Sequence, residues 1–326
     1  MVGTGAVGGT IAALLARAGH DVEVTARGPH LAAIQDHGLI LGGAWGDYTA
    51  HVDAGRKLAR IPELAFVTTK ANDAEAAIRD NAGLLAGVPV VVVQNGLRGI
   101  ETAQRVLPSS DVVGGLAMFA ASYLSPGHVE VTTDGNIYLG DAATTPSMAT
   151  LYAAEVLGEV LPVAATTNFV GAQWTKLIVN QINALPAITG LSAQEVIRSR
   201  PLRRLMTRSM REAVRVGIAE NVHFAALQGL SNSLLRVFSW LPISLGQLLP
   251  LAINRRLGPV PNPGSTLQSI RRGQLTEIDY LNGTIVAAGE RLGVPTPVNR
   301  KLTELVHAVE ASGRFVEPKA VGERVG

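Results

Sequence analysis

The chain of 326 residues contains no cysteine. It therefore cannot form a disulfide, use a thiol as a nucleophile or bind a metal through thiolates. The glycine-rich run that starts at residue 3 also leaves no place for the basic and apolar parts of a signal peptide. Both absences predict a cytoplasmic protein.

Strong charge, aromatic side chains and unbroken apolar runs are scarce as well. The net charge is +2 and aromatic residues make up 4% of the chain. Because no block of lysine and arginine is long enough for a nucleic-acid surface, we expect no nucleic-acid partner. A small acidic ligand is compatible with this charge.

The most membrane-like stretch, residues 234–253, is interrupted by Arg236, Pro242 and Pro250. We expect buried helices or an oligomer surface there, and no membrane partner.

The most informative residues that are present are three glycines at the start. Gly3, Gly5 and Gly8 form a G-x-G-x-x-G run, followed by a helical stretch and then by the strand-like residues 21–25. Such glycines permit a tight turn, a close approach of the backbone to a pyrophosphate and close helix packing. A purely structural turn is the alternative. The pattern favours a dinucleotide site made of Gly3, Thr4, Gly5, Ala6, Val7 and Gly8.

Only Met1 and Val2 precede the first glycine. We therefore expect the first strand of the sheet to be truncated, or the true start codon to lie upstream. Arg27 follows the next strand, where NAD-binding proteins carry an acidic residue for the ribose 2′-hydroxyl. A guanidinium suits a 2′-phosphate, so we expect NADP; a solvated loop arginine is the alternative.

The first half alternates short β-branched runs with helical segments, which predicts a doubly wound sheet. Strands are predicted at residues 21–25, 64–69, 88–93, 112–119 and 161–163, and extended pieces that extend the sheet in antiparallel fashion at 129–132 and 137–139. Helices are predicted at residues 29–37, 73–85 with Asp73 as N-cap, 99–106 and 147–157. From about residue 169 the helical period takes over, with helices predicted at residues 170–185, 202–220, 231–249, 265–272, 277–292 and 299–311.

The predicted fold is thus α/β: a Rossmann-type domain over residues 1–167 that binds NADP, and an all-helical substrate or dimerisation domain over residues 168–326. A cleft between these halves is the expected place for chemistry. We expect a monomer or a homodimer.

Several polar residues stand out against these elements. Lys176, Asn180 and Asn183 would share one face of the predicted helix 170–185, although an ordinary solvent face has the same pattern. Lys70 and Asn95 follow two predicted parallel strands, where ligands bind in open α/β sheets. Turn chemistry is the competing explanation for Asn95. Glu277 starts a predicted helix, where a favourable charge at the N-terminal turn is the alternative.

Together these motifs resemble the ketopantoate reductases, or 2-dehydropantoate 2-reductases, over nearly the whole chain. The resemblance rests on Gly3-Thr-Gly-Ala-Val-Gly-Gly9, Arg27, Thr69-Lys70, Gln94-Asn95-Gly96, Pro126-Gly127, Trp174-Thr-Lys-Leu-Ile-Val-Asn180, Ser265-Thr-Leu-Gln268, Thr276-Glu-Ile-Asp-Tyr-Leu-Asn-Gly283 and Gly293-Val-Pro-Thr-Pro297. It implies NADPH-dependent reduction of 2-dehydropantoate to pantoate, as in pantothenate biosynthesis.

The resemblance also implies roles for individual residues. Lys176 matches the catalytic lysine that protonates or polarises the keto oxygen, and Glu277 matches the carboxylate that orients substrate and lysine. The matched substrate-side residues are Asn180, Asn183 and Ser265, and the matched cofactor-side residues are Lys70, Asn95 and Arg27.

Three departures put the substrate in doubt more than the reaction. Ser269 stands where the family often has aspartate, Asn183 comes one residue earlier than in some members, and the apolar segment 224–261 lies between helical blocks. A reductase or dehydrogenase of another small 2-oxo or hydroxy acid is therefore one alternative. A non-catalytic NADP-binding sensor is another.

Overall fold

The computed structural model describes residues 1–141, 145–257 and 261–325. The chain forms two compact units, Met1–Val170 and Gly171–Gly326. Of the apolar segment 224–261, residues 258–260 lie outside the described residues.

The strands of the first unit are short, and most are flanked by helices. The strands are β1 (Glu23–Thr25), β2 (Leu39–Gly43), β3 (Tyr48–Ala50), β4 (Asp53–Gly55), β5 (Ala65–Val67), β6 (Val90–Val93), β7 (Val112–Ala117), β8 (Ala120–Ser125), β9 (His128–Thr133), β10 (Ile137–Gly140) and β11 (Val163–Ala165). The helices are α1 (Ala6–Arg17), α2 (Gly28–His37), α3 (Ala71–Leu85), α4 (Gly99–Val106) and α5 (Met148–Gly158).

The main sheet confirms the doubly wound prediction. Strands β5, β6 and β7 are parallel neighbours, β10 joins β7 in antiparallel fashion and β11 pairs with β10. On the other side β1 and β4 form a parallel pair. Val2 bridges both groups, because it pairs in parallel with Thr25 of β1 and with Val67 of β5. The central position of the sheet is therefore occupied by a single bridging residue.

A second sheet, in the order β3-β2-β9-β8, was not predicted. Of the two extended pieces expected to extend the main sheet, only β10 does so; β9 instead pairs with β8 and, in parallel, with β2. Strands β2 and β3 bury Leu39, Leu41 and Ala50 in the same core as the apolar face of α1. The prediction of Asp73 as the N-cap of α3 was also wrong, because the helix starts at Ala71 with Lys70 in the capping position.

The described part of the second unit consists of helices and loops, with one isolated bridge between Leu227 and Leu230. Its helices are α6 (Phe169–Asn180), which begins at the end of the first unit, α7 (Ala184–Thr189), α8 (Ala193–Arg198), α9 (Arg200–Ala219), α10 (Asn232–Trp240), α11 (Ile243–Gly246), α12 (Leu248–Arg256), α13 (Gly264–Arg271), the 3₁₀ turn η1 (Ile278–Tyr280), α14 (Asn282–Leu292), α15 (Pro297–Ser312) and α16 (Pro318–Val325). Among the described residues no helix is both long and apolar enough to span a bilayer.

The continuous helix predicted over residues 170–185 is broken. After Asn180 the backbone tightens into i→i+3 hydrogen bonds, and a new helix starts at Ala184. Pro186 explains the break: it has no N–H to donate to residue 182, and its ring would collide with that carbonyl in a continuous helix. Near the start of α7 the missing N–H costs nothing. Pro242 divides the predicted helix 231–249 in the same way.

Candidate active site

The glycine-rich turn is shaped by three glycines with different surroundings. A Cβ on Gly3, whose φ is +93°, would lie 2.6 Å from Thr69 Cγ2, and one on Gly8 would overlap the Gly3 carbonyl oxygen and Thr68 Oγ1. A Cβ on Gly5 would meet nothing within 4 Å. Gly5 also precedes α1, whose first turn has no side-chain cap and no acidic residue. The open space and the uncapped N–H groups fit the pyrophosphate of a dinucleotide.

Neighbouring strands hold this turn in place. Thr25, at the end of β1, accepts a hydrogen bond from the Gly3 N–H at 2.9 Å through its hydroxyl, and its carbonyl accepts from Thr4 Oγ1 at 2.6 Å. On the other side Thr68 Oγ1 donates to the Gly3 carbonyl. The turn is therefore fixed before any ligand arrives, which lowers the entropy lost on binding.

His30, which the sequence analysis missed, ties the same turn to two further elements. Its Nε2 lies 2.7 Å from the Thr4 carbonyl oxygen, and its Nδ1 accepts the Gly127 N–H at 2.8 Å. These partners require a neutral ring with the proton on Nε2. Burial lowers the pKa of His30, with the bond to Thr4 opposing the shift, and so favours that neutral form.

Two cations lie close together next to β1 and β4. Arg27 is 69% exposed, and both it and Lys57 approach the carboxylate of Asp80, at 3.8 and 3.2 Å. The parallel pairing of Thr25 with Gly55 brings the segments after these strands side by side. Lys57 was not among the predicted residues, because no pattern in the sequence indicates that β4 is the neighbour of β1.

Lys70 and Asn95 follow strands β5 and β6. These strands are parallel neighbours, and Ala65 of β5 pairs with Val90 of β6. Gln94 Nε2 donates to the Thr69 carbonyl at 2.8 Å, so the two strand ends are joined directly. Thr69 Oγ1 is buried without a hydrogen-bond partner. Because Thr69 also packs against Gly3, the structure brings Lys70 and Asn95 to the edge of the sheet that holds the glycine-rich turn.

In the second unit Lys176 lies on α6, half-buried between the buried residues Thr175 and Leu177. Burial lowers the pKa of its ammonium group to about 8, and the negative charge of Glu277 raises it in opposition. The structure thus brings Lys176 and Glu277 together although they are far apart in sequence. A desolvated lysine beside one carboxylate is a common arrangement at catalytic sites.

Two family profiles cover most of the chain. The profile described as Ketopantoate reductase PanE/ApbA matches residues 1–144, and the one described as Ketopantoate reductase PanE/ApbA C terminal matches residues 168–310. The chain belongs to the ketopantoate reductase family. It is accordingly an oxidoreductase that acts on a keto group and uses a nicotinamide cofactor.

Individual members of the family align over almost the full length. The 2-dehydropantoate 2-reductase of Archaeoglobus fulgidus is 29% identical over 315 residues, which are 95% of this chain and 97% of that protein. The ketopantoate reductase structure from Ralstonia eutropha JMP134 is 30% identical with a TM-score of 0.81, covering 95% of this chain and 97% of the other. A ternary structure of D-mandelate dehydrogenase with NADH and anilino(oxo)acetate shares the fold, with a TM-score of 0.81 at 23% identity and the same coverage.

The break that follows α6 changes how the predicted substrate-side residues Asn180 and Asn183 are related. Asn180 is the last residue of α6, about one turn after Lys176. Asn183 lies beyond the break, so the prediction that Asn183 shares a helix face with Lys176 was wrong. The buried Asn183 side chain instead places its Oδ1 against Gly264, where a Cβ would overlap it. Ser265 is the next residue, exposed in the first turn of α13. Contact between helices, rather than helical spacing, therefore brings Asn183 towards Ser265.

Proposed function

We propose that this ketopantoate reductase reduces 2-dehydropantoate to pantoate with NADPH, as in pantothenate biosynthesis. The observation that carries the proposal is the desolvated Lys176 beside Glu277, with a pKa of about 8. In this proposal the first unit binds the cofactor and the helical unit binds the oxo acid. That the reaction takes place between the two halves stays a prediction.

The bound cofactor would supply the hydride that the keto carbon receives. The keto oxygen then needs a proton, and the ammonium group of Lys176 is the donor. A lysine with an ordinary pKa would hold its proton too tightly at neutral pH, whereas one near 8 is charged and still acidic enough to give it up. Glu277 keeps the amine protonated despite burial, because its charge opposes the desolvation. The ammonium also stabilises the negative charge that develops on the oxygen.

The remaining predicted residues bind and orient. Asn180 and Asn183 carry amides suited to the hydroxyl of the substrate, and Ser265 carries a hydroxyl suited to its carboxylate. The glycine-rich turn of Gly3, Thr4, Gly5, Ala6, Val7 and Gly8 receives the pyrophosphate, and Lys70 and Asn95 lie at the cofactor side of the sheet. These roles come from the family resemblance and are supported by the placement described above.

The preference for NADPH over NADH rests on charge. Arg27 carries a fork of N–H donors that suits a phosphate, and Lys57 adds a second cation within reach of the same carboxylate, Asp80. No acidic side chain follows β1 in the position that would hold a ribose 2′-hydroxyl. A 2′-phosphate would therefore find two positive groups here.

The test compares K176A, E277Q and the control K301A, whose lysine pairs with Glu304 on the surface of α15. NADPH oxidation with 2-dehydropantoate gives kcat and KM, and fluorescence titration gives the NADPH Kd. Loss of the proton donor lowers kcat by roughly 10²- to 10⁴-fold, with the Kd unchanged, while K301A behaves as wild type. Wild-type turnover in K176A would remove the proposed role.

A second candidate is the reduction of a different small 2-oxo acid. It is favoured by Ser269, which stands where the family motif often has aspartate, and by the shared fold of a D-mandelate dehydrogenase that binds NADH and anilino(oxo)acetate. A substrate panel at fixed NADPH separates the two. The first proposal requires the highest kcat/KM for 2-dehydropantoate, and an aromatic 2-oxo acid with a higher value would replace it.

We also propose a cytoplasmic enzyme that is a monomer or a homodimer. A cysteine-free chain is in keeping with a reducing compartment. Light scattering on the purified protein would measure the mass directly, with 34.1 kDa expected for the monomer and twice that for a homodimer.

A further inference from the structure

The main chain before Glu277 is held by a carboxylate from α15. The Thr276 N–H donates to Glu310 Oε1 at 2.7 Å. Thr276 is 3% exposed, and its hydroxyl accepts the N–H of Ile278 at 3.3 Å. Glu310 thus binds the residue directly before Glu277, and Thr276 binds the residue directly after it.

His307, one turn earlier on α15, connects this carboxylate to the other side of Glu277. Its Nδ1 lies 2.7 Å from Glu310 Oε2, and its Nε2 lies 2.9 Å from Asp279 Oδ1. Burial by itself would lower the pKa of His307, but the hydrogen bonds and charges of Glu310 and Asp279 outweigh it and raise the pKa. A protonated ring donates through both nitrogens, as these two carboxylates require.

The segment needs such support because it has little structure of its own. Glu277 precedes the three-residue 3₁₀ turn η1, and Gly273 shortly before it has a φ of +63°. A single 3₁₀ turn is held by few hydrogen bonds. By contrast α15 spans 16 residues, buries Leu302, Val306 and Val309, and has its first N–H groups capped by the buried carboxylate of Glu212.

We propose that Glu310 and His307 are positioning residues that fix the main chain on both sides of Glu277 and thereby hold its carboxylate beside Lys176. The inference rests on the proposed function, because it gives those two residues their roles. Neither Glu310 nor His307 is proposed to touch the reacting atoms. Glu310 acts through the backbone N–H of Thr276, and His307 acts through the side chains of Glu310 and Asp279.

The experiment uses E310A, E310Q and H307Q, with E304A as the control. Glu304 lies on the same helix and makes an exposed ion pair with Lys301. In E310Q the amide oxygen can still accept the Thr276 N–H, but the ion pair with His307 is lost. Steady-state kinetics give kcat and KM, and thermal unfolding gives Tm.

A third readout needs no turnover. The chain has five lysines, so ¹³Cε-lysine labelling resolves the titration of Lys176 by NMR in the substrate-free enzyme. E310A should lower kcat by roughly ten- to hundred-fold, the scale of a displaced catalytic group. It should also lower the pKa of Lys176, since Glu277 would be held less closely. E310Q should recover part of both effects, and E304A should show neither.

The outcomes separate two kinds of failure. If E277Q lowers kcat and the pKa of Lys176 but E310A matches E304A, the positioning role is overturned while the proposed function stands. If E277Q changes neither quantity, the proposed function itself fails. Should E310A not fold, H307Q decides: a wild-type kcat and Lys176 titration overturn the inference, and a decrease in both with a wild-type far-UV spectrum supports it.

Discussion

The glycine-rich turn allows one prediction in which two similar substitutions have opposite effects. In G5A the new methyl group points into open space, and Gly5 has a φ of −68° that any residue adopts. In G8A the methyl group overlaps the Gly3 carbonyl oxygen and the Thr68 hydroxyl. The first change should spare the fold and harm nucleotide binding. The second should harm the fold itself.

The magnitudes follow from what each methyl group meets. For G5A, the smaller entropy of the unfolded chain stabilises by about 0.4–1 kcal/mol, and the loss of a favourable N-cap glycine offsets a similar amount. The free energy of unfolding should therefore change by less than about 0.5 kcal/mol. For G8A, one overlapping atom belongs to the backbone and cannot rotate away, so we expect a loss of about 1–3 kcal/mol or more.

The affinity for NADPH should fall in G5A, although the stability of the fold is unchanged. In G5A the methyl group occupies the space where phosphates would approach the N–H groups of α1. We expect the NADPH Kd to rise at least about tenfold, or 1.4 kcal/mol. Urea unfolding followed by far-UV circular dichroism gives the stability, and fluorescence titration gives the Kd. A G5A protein that binds NADPH as wild type, or a G8A protein as stable as wild type, would refute the reasoning.

Three further predictions concern single side chains. The proton donor Lys176 has its pKa lowered to about 8, so kcat/KM should fall as the pH rises through 8. The E277Q substitution should move that inflection to lower pH. A pH profile that is flat up to pH 10 would contradict this. R27D should weaken NADPH much more than NADH, with K57A acting in the same direction but less, and equal effects on both nucleotides would contradict the charge argument. H30F leaves the Thr4 carbonyl and the Gly127 N–H unpaired, so stability measured by urea unfolding should fall by about 1–3 kcal/mol, and an unchanged midpoint would count against that network.

The secondary-structure elements predicted best from the sequence are those that short local residue patterns identify. Strands β5, β6 and β7 are buried apolar runs, and such runs are readable without knowledge of their neighbours. Strands β2 and β3 were missed because β2 ends in two glycines, β3 has three residues, and the pairing of β2 with β9 joins positions more than eighty residues apart. The break after Asn180 could have been read from Pro186, but the apolar pattern continues across it.

In the candidate site, too, local motifs identify some residues and miss others. The glycine spacing, Arg27, Lys176 and Glu277 could be named from motifs. The residues that hold them in place could not, because His30, Lys57 and Glu310 act through contacts between segments distant in sequence. A side chain that binds a backbone carbonyl or N–H carries no characteristic spacing. Such residues become visible only when the fold shows which elements are neighbours.

The bond between His30 and Gly127 joins residues 97 positions apart, and this has a consequence for the order of folding. The glycine-rich turn is fully anchored only when the segment directly before β9 has folded against His30. Contacts so distant in the chain form slowly. The glycine-rich turn should therefore be among the last parts of this unit to gain protection from amide exchange when the unfolded protein refolds in a pulse-labelling experiment.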